Sequence, residues 1–224
     1  MPSNSYPFIS REGWPLLVLL LVFFVIAYHY HFGITVTMID AGLLLVLMFL
    51  LRDPSQTVTS SPLAIVSPVH GTVISVVDVE DPWANRLAKS ISIKMSLFDI
   101  YSLRSPTEGK IVNQWTRQPD SKGPKRQFAF RVRTDEGDEI VVVIHLNILS
   151  SFLFRFYVHS GERIGHGQRC GYLYFGGVID VLVPRISKIM VNPGEHIKSG
   201  SGIIAQLVHV DAASVIHKDS HSTV

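Results

Sequence analysis

The chain has 224 residues, 47% of them apolar and only 17% charged, with 20 Lys and Arg against 18 Asp and Glu for a net charge of +2. That balance excludes a disordered chain and a strongly basic nucleic-acid binder, so nucleic acid is not an expected partner. One cysteine, Cys170, excludes an intrachain disulfide framework and a Cys-based zinc site, and the ten histidines form no H-E-x-x-H pair.

The low charge has a local cause. Residues 14–51 are almost wholly apolar, in two runs (14–28 and 41–51) separated by His29-Tyr30-His31-Phe32-Gly33 and a mixed stretch containing Asp40. A spanning helix wants about 20 apolar residues. The first run approaches that length if residues 28–32 sit at the interface, and the second if it starts near Ile34. Arg52-Asp53-Pro54 then stops the second run, because charge and proline both oppose an apolar helix. The pattern predicts an N-terminal transmembrane or re-entrant helical hairpin over 1–54; a buried hairpin of a soluble protein competes with it. Arg11 precedes the hairpin, Arg52 closes it and the other 18 cations follow. The positive-inside rule therefore puts both ends, and the body, on the cytoplasmic side of the inner membrane. No small-residue cleavage site follows the first run, which argues against a signal peptide.

After a Ser/Thr-rich linker over 55–61, the body (62–211) consists of short β-branched runs separated by Gly and Pro. The runs are 72–79, 90–95, 110–115, 128–134, 139–146, 178–183 and 203–210, which predicts an all-β body. Residues 146–157 read equally as helix or buried strand. Residues 120–126 read as a mobile basic loop, and 212–224 as a frayed tail.

Two half-motifs repeat inside the body. Gly161-Glu162-Arg163-Ile164-Gly165-His166-Gly167 matches Gly194-Glu195-His196-Ile197-Lys198-Ser199-Gly200 at a shift of 33. Ser67-Pro68-Val69-His70-Gly71 likewise matches Ser105-Pro106-Thr107-Glu108-Gly109. Glycine supplies the turn and a β-branched pair opens the next strand. Such paired half-motifs point to a mainly β, barrel-sandwich-like body; they indicate architecture rather than chemistry.

The order of motifs from Gly13 to Leu207 resembles the short bacterial and archaeal type of phosphatidylserine decarboxylase. The resemblance rests on Phe49-Leu50-Leu51-Arg52-Asp53-Pro54, Ser67-Pro68-x-x-Gly71, Ile93-Lys94-Met95-Ser96-Leu97-Phe98-Asp99-Ile100-Tyr101 running into Arg104-Ser105-Pro106, Phe175-Gly176-Gly177-Val178-Ile179-Asp180-Val181, and the closing segment 191–207. It implies a protein of phospholipid (phosphatidylethanolamine) metabolism. In such enzymes a serine Oγ attacks the preceding glycine carbonyl, and elimination of the ester leaves a pyruvoyl ketone. That ketone takes the substrate amine as a Schiff base and acts as the electron sink for loss of CO₂. An acid and a histidine are implied nearby to activate the serine.

Carried over position by position, the family's F-G-S-x-V-D serine falls on Gly177, after Gly176. The acid of S-P-x-D-G falls on His70 and the histidine of F-D-V-H on Tyr101. Gly177 has no Oγ, so neither the ester shift nor the elimination is open to it. No cofactor is expected, because the pyruvoyl group cannot form there. The resemblance thus implies a decarboxylase-like pseudoenzyme that binds membrane phospholipid, anionic lipid included, or partners an active relative or a second copy of itself. Phe98, Arg104, Phe175 and Val178 are the implied lipid-contacting residues, with Arg104 at a phosphate or carboxylate; an ion pair with Asp99 is its competing role. Two other functions stay open: an active decarboxylase working by an atypical route, and a membrane-anchored barrel-sandwich adaptor or carrier module.

Several features have plainer readings. Ile93-Lys94-Met95 resembles a biotin acceptor, but Gly109 comes fifteen residues later, so Lys94 reads as a surface lysine between core-facing neighbours. Gly200-Ser201 lacks the surroundings of a relocated cleavage site. Arg117, Lys122, Lys125, Arg126, Arg131 and Arg133 form either a headgroup-contacting loop or a solvated one. His145 reads as a hydrogen-bonded core histidine, His159, His166 and His196 as turn residues, and Cys170 as a small core residue.

Overall fold

The computed structural model describes residues 13–31, 33–52, 61, 63–117 and 126–208. Arg11, the Asp53-Pro54 stop, most of the linker, Lys122 and Lys125 of the basic loop, and the tail lie outside the described residues.

Two apolar helices come first, α1 (Trp14–His29) and α2 (Ile34–Leu50). Pro15 opens α1 where its missing N–H is harmless, and Thr37 Oγ1 donates to the Gly33 carbonyl in the first turn of α2. His31 and Gly33, both at positive φ, reverse the chain between them. The reversal leaves helices of 16 and 17 residues. At 1.5 Å per residue they reach about 24–26 Å, short of the roughly 30 Å of a bilayer core. Among the described residues no helix is long and apolar enough to cross a membrane, so the two-span expectation is not supported. Both helices are nonetheless apolar over most of their exposed surface.

The body is mainly β. Its strands are β1 (Ala64–Val66), β2 (Gly71–Asp81), β3 (Arg86–Lys94), β4 (Ser102–Arg104), β5 (Gly109–Arg117), β6 (Gln127–Arg133), β7 (Glu139–His145), β8 (Arg155–Phe156), β9 (Arg163–Ile164), β10 (Arg169–Tyr172), β11 (Val178–Pro184), β12 (Lys188–Ile189), β13 (His196–Ile197) and β14 (Ile203–Gln206). The ambiguous segment holds both a short helix, α3 (Ile148–Leu153), and the strand β8; Asn147 caps α3 by accepting from the Ser150 N–H. Eight strands form one curled half-barrel in the order β13-β2-β3-β11-β7-β6-β5-β9. Two three-stranded sheets, β1-β14-β12 and β4-β10-β8, complete the body.

Alternation sorts the long strands. Ile91, Ile93, Phe130, Val132, Val142, Ile144, Ile179 and Val181 point into the main core, while Ala88, Ala129, Val141, Val143 and Leu182 form a small cluster on the outer face. Trp83 and Trp115 pack against that outer cluster.

The repeats are a structural symmetry. Gly161 N donates to Ile111 O and Gly194 N to Val73 O, both at 2.7 Å; Ile111 N and Val73 N return bonds to Glu162 O and Glu195 O, both at 2.9 Å. Ser67 Oγ and Ser105 Oγ each donate to the carbonyl two residues on, at 2.6 Å. Each S-P-x-x-G turn is therefore clamped by one G-E-x-I-x-x-G turn, so the two half-motif types assemble as two equivalent pairs. His70 in one pair corresponds to Glu108 in the other.

Candidate functional site

The site grows from strand ends. In register, one row across the sheet runs His196, Thr72, Lys94, Val178, His145, Gln127 and Arg117. Residues 175–177 form the turn that enters this row. Phe175 and Gly176 take left-handed backbone in succession, at φ of 61° and 68°. A non-glycine residue there is strained by about 1–2 kcal/mol, and Phe175 bears that strain. Gly176 lies against Met95, whose carbonyl oxygen would be 3.1 Å from a Cβ at 176. Met95 N donates to the Gly177 carbonyl at 2.9 Å, tying the turn to the end of β3. Gly177 is not left-handed. A Cβ there would sit 3.1 Å from the His145 carbonyl oxygen and 3.4 Å from Leu173 Cδ2, a tight but occupiable place.

Tyr101 is buried beside this turn. Its ring lies 6.2 Å from Phe175 and edge-on to Tyr172 at 6.0 Å, and its hydroxyl donates to Leu97 O at 2.6 Å. Burial, with Asp99 nearby, raises its pKa, so the hydroxyl stays protonated. His70, 7% exposed, accepts a 3.3 Å bond at Nδ1 from Ser199 N. Burial lowers its pKa to about 4; Asp99 opposes this, while Arg104, His196 and Lys198 add to it. His70 is therefore neutral at pH 7.

Phe98 is 67% exposed and Leu97 is exposed beside it. Arg52, over the Phe49 ring at 3.9 Å, donates to the Phe98 carbonyl at 3.3 Å, so the helical hairpin is rooted on the same loop. Val178 and Phe175 are half-buried in the turn. Arg104 lies on β4, buried: Nη1 donates to Gly167 O at 3.0 Å, and its Cδ fills the space over Gly200, where a Cβ would come within 3.1 Å. It packs between the closing glycines of both half-motifs. The structure thus gathers Tyr101, Phe175, Gly176, Gly177 and Val178 around one turn, with Phe98 on the adjoining loop.

One cluster was missed by motif reading. Ser92 Oγ donates to Asp180 Oδ1 at 2.6 Å, Asp180 Oδ2 lies 2.6 Å from His145 Nε2, and Gln127 Nε2 lies 3.2 Å from His145 Nδ1. Burial pushes the Asp180 pKa up, but the bonds from His145 and Ser92 outweigh it and leave it lowered. The chain is centred on the acid, and Ser92 bonds the carboxylate rather than the imidazole, which is not the order of a nucleophilic triad. His145 is hydrogen-bonded as expected, yet it stands on the outer face rather than in the core. His196 is likewise part of a strand, its Nδ1 3.4 Å from Thr72 Oγ1. Lys94 is exposed between buried Ile93 and Met95, and Cys170 is fully buried with its pKa raised by burial.

A phosphatidylserine decarboxylase family model matches residues 43–205. The chain belongs to the phosphatidylserine decarboxylase family. The phosphatidylserine decarboxylase proenzyme of Nitrosomonas eutropha is 30% identical over 215 residues, covering 91% of this chain and 99% of that protein. The proenzyme of Paraburkholderia xenovorans is 30% identical over 212 residues, covering 92% and 100%. Among solved structures, glucose permease IIA from Mycoplasma capricolum superposes with a TM-score of 0.44 at 19% identity, over 65% of this chain and 96% of that one. Phosphatidylserine decarboxylase family membership places this chain among lipid-metabolising lyase relatives. No metal-holding group of three or more His, Cys, Asp or Glu occurs among the described residues.

Proposed function

We propose that this chain is a phosphatidylserine decarboxylase-family protein that does not process itself and instead holds phospholipid, or an active relative, at the end of the body bearing Gly177. The observation that carries this reading is the glycine at 177. Pyruvoyl formation needs a side-chain oxygen or sulfur on the residue after Gly176, since both the attack and the elimination pass through that atom. The neighbours agree with the reading. His70 is neutral and cannot act as a carboxylate, and Tyr101 keeps its proton and donates it to Leu97 O.

The same end of the body supports lipid contact. Exposed Leu97 and Phe98 and the hairpin root at Arg52 all meet there, and exposed Phe152 on α3 follows the strand end at His145. In this reading the apolar hairpin enters the cytoplasmic leaflet of the inner membrane without crossing it. Incubating the purified chain with phosphatidylserine vesicles should bind lipid without forming phosphatidylethanolamine. Measurable decarboxylation sensitive to hydroxylamine would overturn the reading.

A further inference from the structure

The two half-motif pairs differ at one bond. In the first, Ser199 N donates to His70 Nδ1 and the two turns close on each other. The equivalent positions in the second pair are His166 and Glu108, and among the described residues no hydrogen bond joins them. A cavity of about 260 Å³ opens there instead. It lies where β5 begins and β6 ends, beyond the Lys110–Arg133 pair, whereas the row through Val178 crosses those strands at their other end, at Gln127 and Arg117.

Thr107, Glu108, Thr134, Glu136 and His166 line the cavity, Leu63 and Leu207 form its apolar wall, and no Lys or Arg is among its described lining residues. Neighbouring cations are engaged elsewhere: Arg163 is held by Asp135 and Arg133 by Glu139, each at 2.6 Å. Among the described residues the carboxylates of Glu108 and Glu136 make no ion pair or hydrogen bond. Thr107 is a separate sign of a ligand. It is 7% exposed and its hydroxyl has no hydrogen-bond partner among the described residues, yet that oxygen keeps accessible surface. A polar group so far withdrawn from water is unfavourable without a partner, and the cavity is where one can reach it. Burial lowers the His166 pKa, with Glu108 opposing, so the ring is neutral at pH 7 and does not repel a cation.

The lining selects the occupant. Two carboxylates repel an anion, and the acids and His166 do not come together as a metal-holding group. The cavity is small and mostly polar, which excludes an acyl chain and admits a short molecule. We propose that it binds a short, water-soluble aliphatic diamine, one ammonium on each of Glu108 and Glu136, the Thr107 hydroxyl accepting a further N–H and the carbon chain against Leu63 and Leu207. The site stands at the opposite end of β5 and β6 from the Gly177 turn, so its failure would leave the reading at Gly177 untouched.

The full chain in neutral maltoside micelles is titrated calorimetrically with diaminobutane, butylamine and succinate at low salt. Diaminobutane should saturate one site per chain, butylamine should bind about tenfold more weakly for want of the second charge-assisted bond, and succinate should not bind. Glu108→Gln and Glu136→Gln should each weaken diaminobutane about tenfold, while Asp78→Asn, at an exposed acid on β2, should leave it unchanged. The three wild-type titrations decide even if a variant misfolds. Magnesium chloride and sodium chloride at equal ionic strength should compete equally. No saturable binding, equal affinity for diaminobutane and butylamine, an equal loss in Asp78→Asn, or selective displacement by magnesium would overturn the proposal.

Discussion

His145 Nε2 on β7 lies 2.6 Å from Asp180 Oδ2 on β11, and Ser92 on β3 holds the other carboxylate oxygen. Three adjacent strands are thereby joined through one acid, two residues beyond Val178. Asp180→Ala would leave the Ser92 hydroxyl and the His145 N–H without their acceptor, and should cost about 2–3 kcal/mol in urea unfolding. Asp180→Asn should cost less, because the amide oxygen still accepts one bond. The lowered pKa of Asp180 adds stability that is present above its unfolded value and lost as pH falls through the folded one. An Asp180→Ala loss below about 0.5 kcal/mol would mean the chain of bonds is incidental.

His70 sets a second acid dependence. Its folded pKa of about 4 lies below the ordinary imidazole value of 6.5, so between those values the unfolded chain binds the extra proton. Stability should therefore fall as pH drops from about 6.5 to 4, by roughly 2–3 kcal/mol from this residue. His70→Asn should flatten that part of the stability profile. Identical pH profiles for wild type and His70→Asn would contradict the burial account.

The turn at 175–177 predicts an asymmetry between neighbouring glycines. Gly176→Ala meets both a left-handed backbone and the Met95 carbonyl, and should destabilise by about 1–2 kcal/mol. Gly177→Ser meets the His145 carbonyl at the same 3.1 Å but enters ordinary backbone, so it should cost less than Gly176→Ala, about 1 kcal/mol or under. By itself it should restore little self-cleavage, because position 70 carries no carboxylate and position 101 no imidazole to activate it. Adding His70→Asp and Tyr101→His should give partial cleavage, read as a new fragment on a denaturing gel. Full cleavage by Gly177→Ser alone would show that those two positions do not matter.

Membrane contact through the hairpin end makes a separate prediction. Leu97→Asp with Phe98→Asp removes two exposed apolar side chains and adds two charges, and should weaken vesicle sedimentation about tenfold without lowering thermal stability. Protease added to right-side-out vesicles should leave the β body intact. Unchanged sedimentation would exclude this loop from the contact.

Long elements were legible in the sequence and short ones were not. The seven β-branched runs became β2, β3, β5, β6, β7, β11 and β14 because each is rich in β-branched residues and bounded by turn residues. Pieces such as Arg163–Ile164 and His196–Ile197 are strands only because a repeat turn lays them against β5 and β2, which no local pattern reports. The hairpin's break at His31 and Gly33 was visible, but helix length depended on where the caps fell. Of the site, Gly177, His70 and Tyr101 could be found by motif. The Ser92–Asp180–His145 chain could not, because it exists only in the register of three strands distant in sequence; its one local trace was the placement of these residues on alternating, outward positions. Arg104 was legible as important, whereas its burial between Gly167 and Gly200 follows from the repeat symmetry.

The central claim is that the bond between Gly176 and Gly177 stays whole, and the intact mass of the purified full chain tests it most directly. The account predicts one species near 25.0 kDa carrying no carbonyl reactive to hydroxylamine or borohydride. Two species separated at Gly176–Gly177, the smaller beginning at position 177 with a carbonyl in place of its amine, would contradict it and make this chain a self-processing decarboxylase.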